Sequence, residues 1–299
     1  MPFTGTVLTA MVTPFDAQGR IDEAAVARVV DHLFENGTDG LVVCGTTGES
    51  PTLSHDEKLR MFALARQAAR GRGPVIAGTG TFSTAESIRL SQEAEGLGVD
   101  GLLLVTPYYN RPSQEGLYRH FRAIAESVRL PCMLYNVPSR TSVNLEAATV
   151  VRLARDAANI AAVKEASGSL LQVSEIIARA PEGFQVYSGE DGLVLPLLAV
   201  GGVGVVSVTA HLVGRDMQAM CRAFFAGDHR EAARLHARML PIVKACFQPT
   251  TPSPAPVKAG LNLLGVPVGG LRPPLVEASD SERALLRRAL ADYGLIQSA

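Results

Sequence analysis

A lysine stands at the end of a short apolar run, residues 161–164, and it is the side chain with the clearest chemical potential in this sequence. Burying an unpaired ammonium is costly, so burial at Lys164 favours the neutral amine. A neutral amine attacks a carbonyl carbon and forms a Schiff base. The alternatives are a surface lysine, or a structural ion pair with the adjacent Glu165. The residue therefore predicts either a nucleophile or an ordinary charged group.

Polar residues also follow four other apolar runs. These segments are Gly45-Thr46-Thr47-Gly48-Glu49, Thr106-Pro107-Tyr108-Tyr109-Asn110, Tyr135-Asn136-Val137-Pro138-Ser139-Arg140 and Ser188-Gly189-Glu190-Asp191. Tyrosine hydroxyls both donate and accept protons, a glycine-rich turn can hold a carboxylate, and arginine binds carboxylates in a bidentate manner. Taken singly, each segment is also explained by aromatic packing, a tight turn or a solvated arginine. Together, they predict a site if one sheet brings their ends to one face.

The apolar runs recur eight times and alternate with amphipathic segments of helical spacing. They are residues 6–13, 40–44, 74–78, 101–106, 131–136, 161–164, 184–188 and 203–208. The runs are nearly continuous, which is typical of parallel strands buried on both faces. Eight such units predict an α/β fold, a TIM (β/α)8 barrel, whose catalytic face lies at the carboxyl ends of the strands. A doubly wound open sheet is the alternative, because alternation alone does not fix closure.

The chain changes character after residue 208. Segments 216–226, 231–245, 256–264 and 281–293 predict helices, and only the first is needed to complete the eighth unit. We therefore expect a catalytic barrel over residues 1–226 and a helical extension, packed on the barrel, over residues 227–299. The uncharged segment 192–210 has roughly the length of a membrane span. Pro196 and three nearby glycines interrupt it, which favours a helix–turn–strand unit.

Charge and cysteine usage exclude several classes of protein. The 299 residues carry 28 basic and 29 acidic side chains with no basic stripe, so neither nucleic acid nor a membrane is an expected partner. Four scattered cysteines without a CxxC pair argue against a zinc site or disulfide framework and favour the cytoplasm. Gly78-Thr79-Gly80 lacks the remainder of a dinucleotide fingerprint. We expect neither a metal nor an organic cofactor.

Several motifs together resemble the dihydrodipicolinate synthase family, whose superfamily also contains N-acetylneuraminate lyase. They are Gly45-Thr46-Thr47-Gly48-Glu49-Ser50, Val105-Thr106-Pro107-Tyr108-Tyr109-Asn110-Arg111-Pro112, Tyr135-Asn136-Val137-Pro138-Ser139-Arg140-Thr141, Val163-Lys164-Glu165-Ala166 and Val206-Ser207-Val208-Thr209-Ala210. The resemblance runs through essentially the whole chain. It implies a Schiff-base lyase of lysine and diaminopimelate biosynthesis that condenses pyruvate with L-aspartate-4-semialdehyde to 4-hydroxy-tetrahydrodipicolinate. It also implies a homotetramer built from tight dimers.

Two alternatives to this activity stay open. One is a class I aldolase or lyase of the same superfamily that acts on pyruvate and another aldehyde or sugar acid. The other, from a different class, is a barrel retained as a non-catalytic binding protein. Arg140 favours the synthase, because the resemblance places the recognition of a second carboxylate at that position.

The resemblance also implies catalytic roles for four residues. Lys164 would condense with pyruvate to give an imine and then an enamine. Tyr135, Thr47 and Tyr109 would form a proton relay, with Tyr109 reaching into the site of a neighbouring subunit.

Substrate-binding roles follow from the same resemblance. Thr46 and Thr47 would hold the pyruvate carboxylate, and Arg140 would bind the carboxylate of the semialdehyde at the cavity entrance. Gly189 and Val206 would line the site through their backbones.

The sequence departs from the family's pattern in two places. The usual Asn-Pro-Ile-Pro-Val-Lys reads Pro252-Ser253-Pro254-Ala255-Pro256-Val257-Lys258, which puts the packing of the last helices in doubt. Lysine-inhibited members have histidine and asparagine where this chain has Lys58 and Phe82. The other residues of that pocket, Ser50, His55, Glu86 and Tyr108, match. Because the Lys58 ammonium would repel the amino group of the effector, we expect weak or absent feedback by lysine.

Overall fold

Eight parallel strands form a closed barrel in a computed structural model that describes residues 3–248 and 250–297. The strands are β1 (Val7–Ala10), β2 (Gly40–Val43), β3 (Val75–Gly78), β4 (Gly101–Val105), β5 (Cys132–Asn136), β6 (Ile160–Glu165), β7 (Gln185–Ser188) and β8 (Gly204–Ser207). Each strand pairs with the next, and β8 closes on β1 where Val7 pairs with Val205. The TIM barrel is confirmed, and the open sheet is excluded.

Helices follow the strands and cover the outside of the barrel. They are α1 (Glu23–Glu35), α2 (His55–Ala69), α3 (Thr84–Gly96), α4 (Gln114–Glu126), α5 (Pro138–Thr141), α6 (Ala147–Asp156), α7 (Leu170–Arg179), α8 (Val194–Ala199) and α9 (Ala210–Phe225). Local sequence explains several of their ends. The side chains of Asp22 and Ser54 cap α1 and α2, and Ser54 forms a full capping box with Glu57.

Two details differ from the predicted elements. Helix α5 follows Val137 and is four residues long, too short to produce an amphipathic pattern. Helix α9 begins at Ala210 rather than at residue 216. Its first turn is wholly buried and is followed by a kink at Val213, where φ is −129°, so that part of the sequence has no exposed polar face to indicate a helix. The segment 192–210 forms α8 and β8, as the helix–turn–strand interpretation predicts.

Three further helices follow the barrel: α10 (His229–Cys246), α11 (Ala255–Leu263) and α12 (Asp280–Tyr293). Helix α10 packs against α9, and α12 packs against α10 and α11. A boundary after residue 226 would fall between α9 and α10, and it stays a prediction. Residues 1, 2, 298 and 299, at the ends of the two predicted segments, lie outside the described residues. Within the described part of the chain, no helix is both long and apolar enough to cross a membrane.

The interior of the barrel is a packed core that is separate from the layer between strands and helices. It includes Leu8, Val42, Ile76, Leu103, Met133, Tyr135, Ala162, Tyr187 and Val206. Such filling leaves no pore through a barrel of this size, so ligands bind above the core at the carboxyl ends of the strands. Chemistry is therefore confined to that face.

Candidate active site

Lys164 lies at the carboxyl end of β6 with only 5% of its surface exposed. The sheet register places it beside Tyr135 of β5 and Tyr187 of β7. Its Nζ is 4.2 Å from the centroid of the Tyr135 ring. Among residues 3–248 and 250–297, no carboxylate oxygen lies within 4.0 Å of this Nζ. The side chain is thus a buried amine without an ion-pair partner, in contact with an aromatic face.

Glu165 does not pair with Lys164, so the structural ion pair considered above is wrong. Successive side chains of a strand point to opposite faces, and Glu165 points outward. Its carboxylate accepts hydrogen bonds from Asn136 Nδ2 at 3.1 Å, from the Ser167 backbone N–H at 2.7 Å and from Gln172 Nε2 at 2.9 Å. These contacts tie the end of β5 to β6 and α7. Glu165 therefore supports the strand that carries Lys164 from behind.

The two tyrosines beside Lys164 differ in where they lie relative to the cavity. The Tyr187 hydroxyl donates to the Gly5 carbonyl oxygen at 3.0 Å, on the opposite side of the barrel from the cavity. Burial raises the pKa of Tyr187. Tyr187 is therefore part of the packed interior of the barrel. Tyr135 lines the cavity described below. Sequence reasoning alone misses Tyr187, because its position within a buried strand gives no sign of its neighbour.

Gly189 follows β7 and adjoins the lysine. A Cβ at this position would lie 2.6 Å from Ala166 Cβ and 3.1 Å from Lys164 Cε. The Gly189 N–H donates to the Glu165 carbonyl oxygen at 2.8 Å, which fixes the backbone there. Only a glycine leaves the Lys164 side chain its space. Val206 is fully buried on β8 in the interior core.

The turn of residues 45–48 follows β2 and has an unusual backbone on both sides. Cys44 and Glu49 adopt left-handed conformations with φ of 55° and 56°, although neither is glycine. A Cβ at Gly78 would lie 2.4 Å from the Cys44 carbonyl oxygen, which explains the glycine at the end of β3. Thr46 lines the cavity, and Thr47 is buried. The turn is therefore a constrained structure that presents a threonine to the cavity.

Arg140 and Glu190 bring charge to the mouth of the barrel. Arg140 is exposed on α5 and lines the cavity. Burial and the negative charge of Asp191 raise the pKa of the Glu190 carboxyl, while the positive charges of Lys164 and Arg140 oppose that shift. Glu190 thus lies within electrostatic range of both cations. Its place in a loop gives it no distinguishing sequence feature, since most loop carboxylates are solvated.

The cavity at this face has a volume of about 220 Å³. It is lined by Cys44, Gly45, Thr46, Ser50, Pro51, Gly78, Gly80, Leu103, Val105, Tyr108, Tyr135, Val137, Arg140 and Thr141. Tyr135 joins the cavity to Lys164, because its ring contacts the amine and also lines the wall. Tyr109 is 95% exposed and does not line the cavity of its own chain, unlike the adjacent Tyr108.

Comparison with known proteins agrees with this architecture. Residues 3–293 match the Dihydrodipicolinate synthetase family. A 4-hydroxy-tetrahydrodipicolinate synthase from Moorella thermoacetica is 56% identical over 292 residues, which cover 98% of this chain and 99% of that protein.

Two solved structures share the fold in full. A synthase from Cyanidioschyzon merolae with lysine bound superposes with a TM-score of 0.95 at 44% identity, covering 98% of this chain and 99% of that one. A synthase from Acinetobacter baumannii complexed with pyruvate gives a TM-score of 0.94 at 40% identity, covering 98% of this chain and 100% of that one. With a closed barrel, a buried lysine at the end of β6 and this match over nearly its whole length, the chain belongs to the dihydrodipicolinate synthetase family.

Proposed function

We propose that this chain condenses pyruvate with L-aspartate-4-semialdehyde to 4-hydroxy-tetrahydrodipicolinate through a Schiff base on Lys164. The observation that carries the proposal is the buried Lys164 amine, which has no carboxylate partner among the described residues and contacts Tyr135 at the catalytic face. The name of the Moorella relative and the pyruvate in the Acinetobacter structure support the same activity.

The reaction begins when the neutral Lys164 amine attacks C2 of pyruvate and water leaves, giving a protonated imine. Loss of a methyl proton yields the enamine, whose carbon attacks the aldehyde carbon of the semialdehyde. The amino group of the semialdehyde then attacks C2, which closes the ring and releases Lys164. Every step is polar and the sequence of steps is redox-neutral, so we expect neither a metal nor an organic cofactor.

Proton transfer in this scheme falls to hydroxyl groups. Tyr135 contacts the reacting amine and can donate or accept a proton there. Thr47 lies in the constrained turn, and Tyr109 would come from a second copy of the chain. The nearly complete exposure of Tyr109 suits a residue that acts in a neighbouring subunit.

Carboxylate recognition would divide between two parts of the cavity. The turn with Thr46 and Thr47 would hold the pyruvate carboxylate, whereas Arg140 at the mouth would bind the carboxylate of the semialdehyde. Gly189 and Val206 would complete the wall through their backbones. Binding two carboxylates at opposite ends orients both reactants toward Lys164.

We further propose a cytoplasmic homotetramer, assembled as a dimer of dimers. Large apolar side chains are exposed on separate parts of the surface, namely Phe82 and Tyr109 near the cavity mouth and Leu171 on α7. Two distinct self-contacts would cover them. Sedimentation velocity on the purified protein would test the stoichiometry.

Feedback by L-lysine is proposed to be weak or absent. Lys58 is half-buried, and its pKa is lowered mainly by desolvation and raised in part by Cys44 and Glu86. Phe82 packs edge-on against Tyr108 with the ring centroids 5.4 Å apart, where an amide would otherwise offer hydrogen bonds. Both features differ from what a lysine effector requires.

Borohydride trapping tests the proposed activity in two stages. Reduction in the presence of pyruvate should give a covalent adduct on Lys164 by peptide mass spectrometry, and absence of an adduct would favour a binding protein. Turnover with L-aspartate-4-semialdehyde should then be measured against other aldehydes. An adduct without turnover of the semialdehyde would assign the chain to another aldolase or lyase of the superfamily.

A further inference from the structure

We propose that Glu49, Lys258 and Arg272 are positioning residues that set the turn of residues 45–48, so that the C-terminal extension takes part in pyruvate binding. The inference rests on the proposed function, because it assumes that Thr46 and Thr47 hold the pyruvate carboxylate. It concerns residues that lie outside the cavity, since none of the three lines it.

Both carboxylate oxygens of Glu49 are bound by the last part of the chain. Lys258 Nζ, on α11, donates to Glu49 Oε1 at 2.8 Å and to the Gly270 carbonyl oxygen at 2.5 Å. The Arg272 backbone N–H donates to Glu49 Oε2 at 3.0 Å. The side chains of Lys258 and Glu49 are 2% and 0% exposed, so this is a buried ion pair between barrel and extension.

Arg272 extends the same connection to neighbouring loops. Its Nε donates to the Gly19 carbonyl oxygen at 2.7 Å, and its Nη1 donates to the Thr52 carbonyl oxygen at 2.9 Å. Its Nη2 donates to Glu57 at 2.5 Å, and this hydrogen bond is the main reason that the pKa of Glu57 falls to about 2. One arginine therefore holds the loop after β1, the segment after the turn and the start of α2.

The backbone of Glu49 shows why these contacts matter for the turn. Its φ of 56° lies in the left-handed region, where glycine would be the ordinary choice. Its N–H donates to the Thr46 carbonyl oxygen at 3.1 Å, so the conformation of Glu49 is coupled directly to the threonines. A long carboxylate side chain in this position is explained by the need to reach Lys258 and Arg272.

A purely structural role predicts something different. Buried ion pairs contribute little net stability compared with apolar side chains of similar volume, and their best-attested use is to specify one arrangement. Here the arrangement that is specified is a substrate-binding turn. Pyruvate saturation measured in folded variants distinguishes a structural ion pair from one that positions the turn.

The test compares wild type, K258M and the double variant E49Q/K258M. The readout is the pyruvate concentration that gives half-maximal borohydride adduct on Lys164, measured together with kcat and the melting temperature. In the double variant no charge is left unpaired, because both members of the ion pair are replaced by neutral side chains. The Glu49→Gln amide oxygen can still accept from the Arg272 N–H. D216N is the matched control: Asp216 pairs with Arg238 at 2.9 Å and accepts from Tyr293, so it anchors α10 and α12 to α9 through contacts that do not involve the turn.

We expect half-saturating pyruvate to rise about tenfold or more in K258M and in E49Q/K258M, with a smaller fall in kcat, because misplaced binding groups weaken orientation. The melting temperature should recover in the double variant while half-saturation does not, and D216N should saturate like wild type. Wild-type saturation in a folded K258M, or recovery of saturation together with melting temperature, would overturn the positioning role. Absence of an adduct in wild type would instead overturn the proposed function and this inference with it.

Discussion

This molecule buries two lysines in different surroundings, one in the barrel and one in the C-terminal extension. Lys164 in the barrel and Lys258 in the extension are 5% and 2% exposed, and each Nζ lies just over 4 Å from an aromatic ring centroid. Lys258 has a carboxylate partner, Glu49, at 2.8 Å, whereas Lys164 has none among the described residues. Burial and aromatic contact are therefore shared. The carboxylate partner distinguishes Lys258 from Lys164, the proposed nucleophile.

The difference follows from what each site must do. An ammonium engaged by a carboxylate has no free lone pair with which to attack a carbonyl, whereas an amine without such a partner can attack once it has lost its proton. Glu165, the carboxylate next to Lys164 in the sequence, is turned outward onto Asn136 and Gln172 and does not pair with the amine. Four lysines occur in the whole sequence, so the contrast can be tested by single substitutions.

Replacing Lys164 should have the largest effect. K164M removes the nucleophile, so we expect turnover to fall by at least about a thousandfold and the borohydride adduct to disappear. Because no ion pair is broken, the melting temperature should stay at or above that of wild type. A K164M protein that retains more than a tenth of wild-type activity would remove the distinction drawn between the two lysines.

The same substitution at Lys258 should lower stability in addition to its effect on pyruvate saturation. K258M leaves the Glu49 carboxylate buried without its cation, which costs roughly 3–5 kcal/mol. Urea unfolding followed by circular dichroism measures this loss. R288M provides a control, because the contact of Arg288 with Asp292 is exposed. A loss below about 1 kcal/mol in K258M would mean that the buried pair is not what distinguishes Lys258.

His120 extends the comparison to a buried base away from the site. Burial lowers its pKa to about 4, and its Nε2 has no partner among the described residues. Between pH 6.5 and 4 the unfolded chain binds a proton that the folded chain does not, so stability falls as the pH is lowered through this window. The contribution of His120 reaches at most about 3 kcal/mol.

H120Q should therefore flatten the pH dependence of the unfolding free energy between pH 6.5 and 4, as measured by urea titrations at successive pH values. H229N serves as the control, since His229 is exposed. Equal slopes in H120Q and wild type would show that the burial of this base has no effect on the pH dependence of stability.

Lys58, the half-buried lysine, is linked to the smallest expected effect, which is the response of the turnover rate to added L-lysine. With Lys58 and Phe82 in the lysine-pocket positions, addition of L-lysine up to about 1 mM should change the turnover rate less than twofold. The double variant K58H/F82N should become measurably inhibited. A clear drop in the wild-type rate at sub-millimolar L-lysine would contradict the expectation.

Much of the fold was predictable because each strand is a continuous apolar run. The predicted and observed strands differ by at most three residues at either end. Helix α5 and the first turn of α9 escaped prediction, one because it is short and the other because it is buried all round.

The site was predictable only where a residue type is anomalous for its place. Lys164 breaks an apolar run, and Thr46 and Arg140 lie in motifs at strand ends. Tyr187 and the Glu49–Lys258 pair carry no local sign, because their meaning comes from partners that are distant in sequence. The motif that ends at Lys258 predicted doubtful helix packing, yet α11 forms over it and buries the lysine.

The Glu49 contacts also determine when, during synthesis of the chain, the turn of residues 45–48 can be stabilised. Glu49 leaves the ribosome 209 residues before Lys258 and 223 before Arg272. At a synthesis rate of about 5–20 residues per second, the groups that hold the turn after β2 are added roughly ten seconds or more after the turn itself. Lys164 is synthesised within that interval, after the turn and before Lys258. A nascent or truncated chain would therefore contain Lys164 without the turn that holds pyruvate, and activity would appear only when the last helices dock.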